Sequence, residues 1–262
     1  MRRNTLFWGS LFIIAGVLFM LQNLGYLNVN VWNLLWSIFL IALGISFLWG
    51  AVLRKPVRVE HANVPLEGAR TARVRVRHGA GRLQIAAGAG PGDLAVGDFG
   101  GGLELNTRRD GDLLDATLSL PSRNFPFDWG PGESLDWSFQ LARDLPMTLD
   151  LETGANESRL DLSDLLVTGL SLKSGASSTD LNLPAHAGLT QVRVETGAAA
   201  VRILVPDGVS ARIRARGGLS SINIDSRRFP PLGDLYESPD FMTAANKVDL
   251  DIETGVGSID IR

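Results

Sequence analysis

The chain has 262 residues, a formal net charge of -3 and no cysteine. The missing thiols exclude disulfides and thiolate metal sites, and the slightly acidic balance argues against a general affinity for nucleic acid. Glycine is frequent at 29 residues, a composition that points to turns.

From Asn4 to Leu53 there is no Asp, Glu, Lys, Arg or His. "LFWGSLFIIAGVLFML" begins at Leu6, and its apolar character runs on to about Leu27; a second apolar segment spans Val31 to Leu53. Each reaches the roughly 20 residues that a bilayer-crossing helix needs. The polar "NLGYLNVN" between them reads as a tight loop, so residues 1–55 are expected to form a two-helix transmembrane hairpin. A secretory signal is the competing reading, but a second apolar segment follows where a cleavage site and a polar mature chain would stand.

Arg2 and Arg3 precede the first segment, Arg54, Lys55 and Arg58 follow the second, and the loop is uncharged. The positive-inside rule then places both termini and everything after the hairpin in the cytoplasm of a multi-pass membrane protein. Ala42, Ser46 and Gly50 recur every fourth residue on the second helix. They form a close-packing face, which serves the hairpin itself or a dimer.

Residues 56–68 read as a linker, and residues 69–262 as an all-β domain. The periodicity changes there from helical to two, and the same phrase recurs: "LDLETGANESRLDL" at Leu149, "LSLKSGASSTDLNLP" at Leu170, "VRVETGAAAVRILVP" at Val192, "IRARGGLSSINI" at Ile213 and "LDIETGVGSIDI" at Leu250. Gly154, Gly175, Gly197 and Gly218 are separated by 21, 22 and 21 residues. Each unit predicts a strand, a glycine turn needing positive φ, and a returning strand, with apolar residues alternating on both. A unit that cannot bury its face alone stacks on its neighbours. The expected architecture is a right-handed β-helix-like stack of ~21-residue repeats; a β-sandwich is the alternative. Leu149, Leu151, Leu170, Leu172, Val192 and Val194 should face inward, with Leu181, Leu183 and Ile203 on the returning strands. Outward charges should form ladders: Asp150 and Glu152 beside Ser171 and Lys173, then Arg193 and Glu195, then Arg212, Arg214 and Arg216.

Two segments break the period, 122–134 and 225–247, both rich in Pro, Gly and aromatic residues. Phe125, Phe127 and Trp129 in the first are the candidate partner contact; capping an open end of the stack is the alternative role. "WSFQL" from Trp137 alternates as a strand whose Trp137, Phe139 and Leu141 belong to the core.

No pattern for chemistry emerges. His61, His78 and His186 lack ligand spacing, with His78 at a repeat turn where other residues would serve as well. "GAGPGDLAVGDFGGG" (residues 88–102) has no P-loop lysine and no following helix, and reads as a loose glycine-rich segment. No serine stands in Gly-x-Ser-x-Gly. No catalytic, cofactor-binding or metal-binding residue is expected.

"QNLGYLNVNVWNLLW" with its two flanking apolar segments resembles the transmembrane region of LiaI/LiaF-like bacterial proteins. "RVRHGAGRLQI", "WSFQLARDLPMTLDLETGANESRLDLSDLLVTGLSLKSGASSTDLNLP" and "LYESPDFMTAANKVDLDIETGVGSIDI" resemble the toast-rack domain of LiaF-type cell-wall-active antibiotic response proteins. The resemblance implies a non-enzymatic, membrane-anchored regulator of cell-envelope stress signalling that restrains a membrane histidine kinase by contact. It supplies no catalytic residue or cofactor, and it leaves a homo-oligomer open. The rival reading is a structural or adhesin-like β-helix protein that self-assembles at the membrane.

Overall fold

The computed structural model describes residues 59–121 and 135–262, together with Met20, Trp32, Trp36, Ser37, Leu40, Ile41 and Gly44. Two compact units are present. In the N-terminal one the described residues are helical, and Met20, Trp32 and Ile41 are more than half exposed, as apolar residues facing lipid would be. Among the described residues no helix is long and apolar enough to cross a membrane. Apart from those seven residues the expected hairpin lies outside the described residues, as do Ala42, Ser46 and Gly50 on it and Phe125, Phe127 and Trp129.

The second unit is all β. Its strands are β1 (Val59–Pro65), β2 (Thr71–Ala87), β3 (Asp93–Gly100), β4 (Glu104–Asp110), β5 (Leu113–Ser119), β6 (Trp137–Leu141), β7 (Met147–Asp161), β8 (Val167–Asn182), β9 (Leu189–Leu204), β10 (Ser210–Ile224), β11 (Pro231–Leu232), β12 (Leu235–Glu237) and β13 (Lys247–Ile261). They form one 13-stranded mixed sheet. Its body is parallel, in the order β2-β7-β8-β9-β13-β10. Residues 59–65, which composition marks as linker, are an edge strand paired with β3. The glycine-rich segment after Gly88 is not loose throughout: β3 arises from it and buries Leu94, Ala95 and Phe99.

Each repeat is one long strand, bent at its glycine. The evidence is a change of parity. In β7 the buried positions are Met147, Leu149 and Leu151, then Ser158 and Leu160; in β8 they are Leu170, Leu172 and Ser174, then Thr179 and Leu181. Side chains of a straight strand alternate faces without interruption. Odd and even positions can therefore reach a common core only if the chain turns between them, and both sets belong to one continuous cluster. All the inward positions read from the sequence are buried, with Leu149, Leu172, Val194, Leu183 and Ile203 fully so, and Trp137, Phe139 and Leu141 also lie in the core.

The bend corrects the expected role of the glycines. Gly154, Gly175, Gly197, Gly255 and Gly218 are absent from the positive-φ positions. What they need is room. A Cβ on Gly154 would stand 2.3 Å from the carbonyl oxygen of Gly79; on Gly197, 2.7 Å from that of Gly175; on Gly255, 2.6 Å from that of Gly197; on Gly218, 2.8 Å from that of Gly255. The glycines form a column in which each backbone lies on the next, with no room for a Cβ at Gly154, Gly197, Gly255 and Gly218 and a tight 3.1 Å at Gly175.

A second correction concerns strand order. The chain-order ladder ends with β10 next to β9, but β13 lies between them, in register with both. Arg193 therefore faces Asp251, and Asp251 faces Arg214. Direct apposition of β9 and β10 in that register would set Arg193 against Arg214, a repulsive pair where an opposite-charge pair contributes about 0.2–1 kcal/mol. Asp251 of β13 thus stands between two arginines, while on the next row Glu253 lies between Arg216 of β10 and Glu195 of β9.

Candidate functional surface

The outward side chains on the first halves of the parallel strands form a continuous charged surface across the sheet. Arg75 donates to Asp115 at 2.9 Å, and Arg77 lies 3.2 Å from Glu152. Glu195 receives Arg193 at 2.6 Å and Lys173 at 3.4 Å, and Arg216 donates to Glu253 at 2.9 Å. The hydrogen bond from Arg193 is the chief reason the Glu195 carboxyl is held below its ordinary range. These are ladders of mixed sign, as the sequence indicates, in which the signs alternate from Arg77 to Glu195 before Glu195 meets Glu253. Exposed pairs of this kind set register more than they add stability.

Two open grooves cross this face. One, of about 580 Å³, is lined by charges that include Arg73, Arg75, Asp150, Arg193, Arg214 and Asp251. The other, of about 700 Å³, follows the glycine column, with Glu152, Lys173, Glu195 and Glu253 on its rim. Beneath it runs a row that sequence reading overlooked: Thr153, Ser174, Thr196 and Thr254, aligned by the strand register, each preceding its glycine. Ser174, Thr196 and Thr254 are buried, and their hydroxyl oxygens have no hydrogen-bond partner among the described residues. The signal was present in the repeated Thr-Gly and Ser-Gly pairs. Mixed charge over a long groove suits an extended polar polypeptide better than a nucleic acid, which needs a basic field.

His78 occupies the same row on β2, opposite Thr153. It is not interchangeable with a polar turn residue. It is 1% exposed, its ring lies 5.2 Å from that of Trp137, and Nε2 donates to the carbonyl of Leu135 at 2.6 Å. That bond leaves Nδ1 as the buried unprotonated nitrogen, without a partner among the described residues. Leu135 and Asp136 form the returning stem of the 122–134 segment, and Asp136 also receives the backbone N–H of Arg82 at 2.8 Å. The segment leaves β5 where Ser119 pairs with Arg77 and re-enters at Trp137 opposite Leu83. Its stems therefore straddle the bend of β2. The 225–247 segment supplies β11 and β12, buries Phe229 and Phe241, and covers the start of β10 through an Arg212–Glu237 bond of 2.6 Å.

Burial lowers the pKa of His78 from 6.5. A base with a depressed folded pKa is neutral in both states above its ordinary value. Below that value the unfolded chain takes up a proton that the folded chain refuses. Stability should thus be full above pH 6.5 and fall as the pH drops from there through the depressed value. His78→Gln should flatten this slope in melting temperature between about pH 6.5 and 5, above the carboxylate range. An unchanged slope would remove His78 as its cause.

Residues 54–204 match the model for the N-terminal domain of toast_rack (DUF2154). Residues 6–48 match the LiaI-LiaF-like transmembrane region, which makes the chain a membrane protein. A solved structure of a candidate cell adhesion protein from Clostridium sporogenes has the same fold, with a TM-score of 0.72 and 22% identity, over 79% of this chain and 99% of that one. A candidate adhesin from Bacteroides fragilis aligns over 79% of this chain and 98% of that one, at 9% identity and a TM-score of 0.27. No curated protein matches the chain.

Proposed function

Because this chain belongs to the toast-rack family and carries a LiaI-LiaF-like transmembrane region, we propose that it is a non-enzymatic, membrane-anchored accessory of cell-envelope stress signalling. The observation that carries this reading is the joining, in one chain, of a transmembrane region to a β domain whose parallel strands carry an outward ladder of ion pairs. Such a face suits reversible contact with another protein. The partner is a histidine kinase in the same membrane, and the domain lies on the cytoplasmic side of a two-helix hairpin. The segment containing Phe125, Phe127 and Trp129 provides one contact, and the face of Ala42, Ser46 and Gly50 provides the other. Sharing one bilayer raises the effective concentration, so each contact can be weak by itself.

A cell expressing the β domain without residues 1–55 should lose regulation of an envelope-stress reporter even when the domain is abundant and folded. Trp129→Ala in the full chain should weaken capture of the kinase while leaving the melting temperature unchanged. Full regulation by the hairpin-less chain would sink the tethering argument. The rival adhesin-like reading draws on the fold shared with the Clostridium sporogenes protein. It requires the domain outside the cell, where a C-terminal tag would be cut by protease added to intact cells; protection until lysis supports the accessory reading.

A further inference from the structure

Six buried polar atoms that have no hydrogen-bond partner among the described residues gather along the bend of the stack. They are Nδ1 of His78, Oδ1 of Asn156, Oγ of Ser174, Oγ1 of Thr196, Oγ1 of Thr254 and Oγ of Ser220. Each belongs to a different strand of the parallel body, in the order β2, β7, β8, β9, β13 and β10. Each stands one or two residues from the glycine at which its strand bends. Native proteins pair nearly all their buried polar groups, because an unpaired one costs free energy. One such atom on every parallel strand, all at the same seam, marks a site with an occupant.

The alignment is more than a by-product of repetition. His78, Ser174, Thr196 and Thr254 share one register row through Thr153. On β10 that row holds Gly217, opposite Thr254. There the oxygen comes from the far side of the bend: the Ser220 hydroxyl occupies the place where a Cβ on Gly217 would stand. The glycine and the serine together restore a polar atom to the column where the repeat has lost its own. On β7 the Thr153 hydroxyl donates to the Lys173 carbonyl at 3.4 Å. The unpartnered atom of that strand belongs to Asn156, which lies in the register row of Ser220. Its amide nitrogen donates to Ser158 at 2.6 Å, which leaves the oxygen as an acceptor.

Neighbouring strands lie about 4.8 Å apart. Oxygens at that spacing are too distant to bond each other, since an O–H···O bond spans about 2.5–3.0 Å. Two bonds of about 2.8 Å through one water span it. The occupant has to donate, because His78 Nδ1 and Asn156 Oδ1 only accept, and it has to accept from hydroxyls as well. Water does both. A cation finds no carboxylate among the six atoms, and Glu152, Glu195 and Glu253 beside the bend are engaged in the outward ladder. We propose that the inside of the bend holds a file of internal water crossing all six parallel strands, with about one molecule between each neighbouring pair of polar atoms. The stack is then closely packed on the glycine side of the bend and wet on the other.

Thr196→Val in the full-length protein in detergent tests this, with long-lived internal water counted by magnetic relaxation dispersion and stability read as melting temperature. Valine keeps the shape of threonine and removes the hydroxyl. Thr196 lies between Ser174 and Thr254. The variant should therefore lose about two long-lived waters and melt lower, because their remaining partners are left unpaired. Ser220→Ala, at the end of the column, should lose about one. A dry column gives the opposite sign, since deleting a buried hydroxyl that bonds nothing relieves its desolvation cost and raises the melting temperature. Thr190→Val is the control: that hydroxyl is buried but donates to the Val167 carbonyl at 2.8 Å, so its loss should lower the melting temperature and leave the water count unchanged. The proposal is overturned if Thr196→Val does not melt lower, if either column variant keeps its full count of water, or if Thr190→Val loses as much water as Thr196→Val. If Thr196→Val fails to fold, the water count of Ser220→Ala decides.

Discussion

A chain ended at Asn246 should fail to fold, even though the segment removed is the last strand. Terminal strands are often expendable because they lie at an edge, but β13 is paired on both sides along its whole length. It contributes Val248, Leu250, Ile252, Ile259 and Ile261, none more than 1% exposed. Truncating a single buried aliphatic side chain costs about 2–5 kcal/mol. Five together rival the entire stability of an ordinary domain, about 5–15 kcal/mol. The loss is compounded because β10, with the hairpin of β11 and β12 attached to it, would be left with no parallel neighbour. The check is near- and far-ultraviolet circular dichroism of the shortened protein during a thermal melt. A cooperative transition near that of the intact chain would mean that β9 and β10 can pair directly, and that Asp251 of β13 is not what separates them.

Gly154→Val should be among the most damaging single substitutions, with Gly175→Val milder and Gly90→Val nearly silent. Overpacking of this kind costs about 1–3 kcal/mol and occasionally more. The ranking follows from the distance a Cβ would have to its nearest atom: 2.3 Å from the Gly79 carbonyl oxygen at Gly154, 3.1 Å from the Gly154 carbonyl oxygen at Gly175, and 4.0 Å from a flexible Asp93 side chain at Gly90. The obstacles at the first two are backbone atoms, fixed by strand pairing. Each kcal/mol corresponds to roughly 2–4 °C in a domain of this size, so the first variant should stand well clear of the third in a melting experiment. Gly154→Ala should cost nearly as much as Gly154→Val, because the Cβ itself is what clashes. Equal melting temperatures for the Gly154 and Gly90 variants would dissolve the glycine column.

Much of the domain was legible because the information is local. Alternation at Leu149, Leu151, Leu170 and Leu172 requires only that a strand has two faces, and those positions are buried as expected. The glycine column was visible as a spacing of about 21 residues. Its purpose was not. A glycine demanded by positive φ and one demanded by close approach look alike in a sequence, and only the neighbouring backbone tells them apart. His78 was passed over for a similar reason. It takes the place of a Thr or Ser in the repeated row, and its partner, the Leu135 carbonyl, lies 57 residues away.

By itself, then, the sequence determined the division into an uncharged membrane segment and a charged β domain, the strand periodicity, the inward set and the repeat. Each follows from solvent preference and backbone geometry within a few residues. The tertiary structure alone decided the insertion of β13 between β9 and β10 and the burial of His78 under a distant stem. These depend on which charged and apolar faces meet after folding. Chain order does not dictate that meeting: Asp251 is better placed between Arg193 and Arg214 than those two arginines are against each other, wherever its strand falls in the sequence.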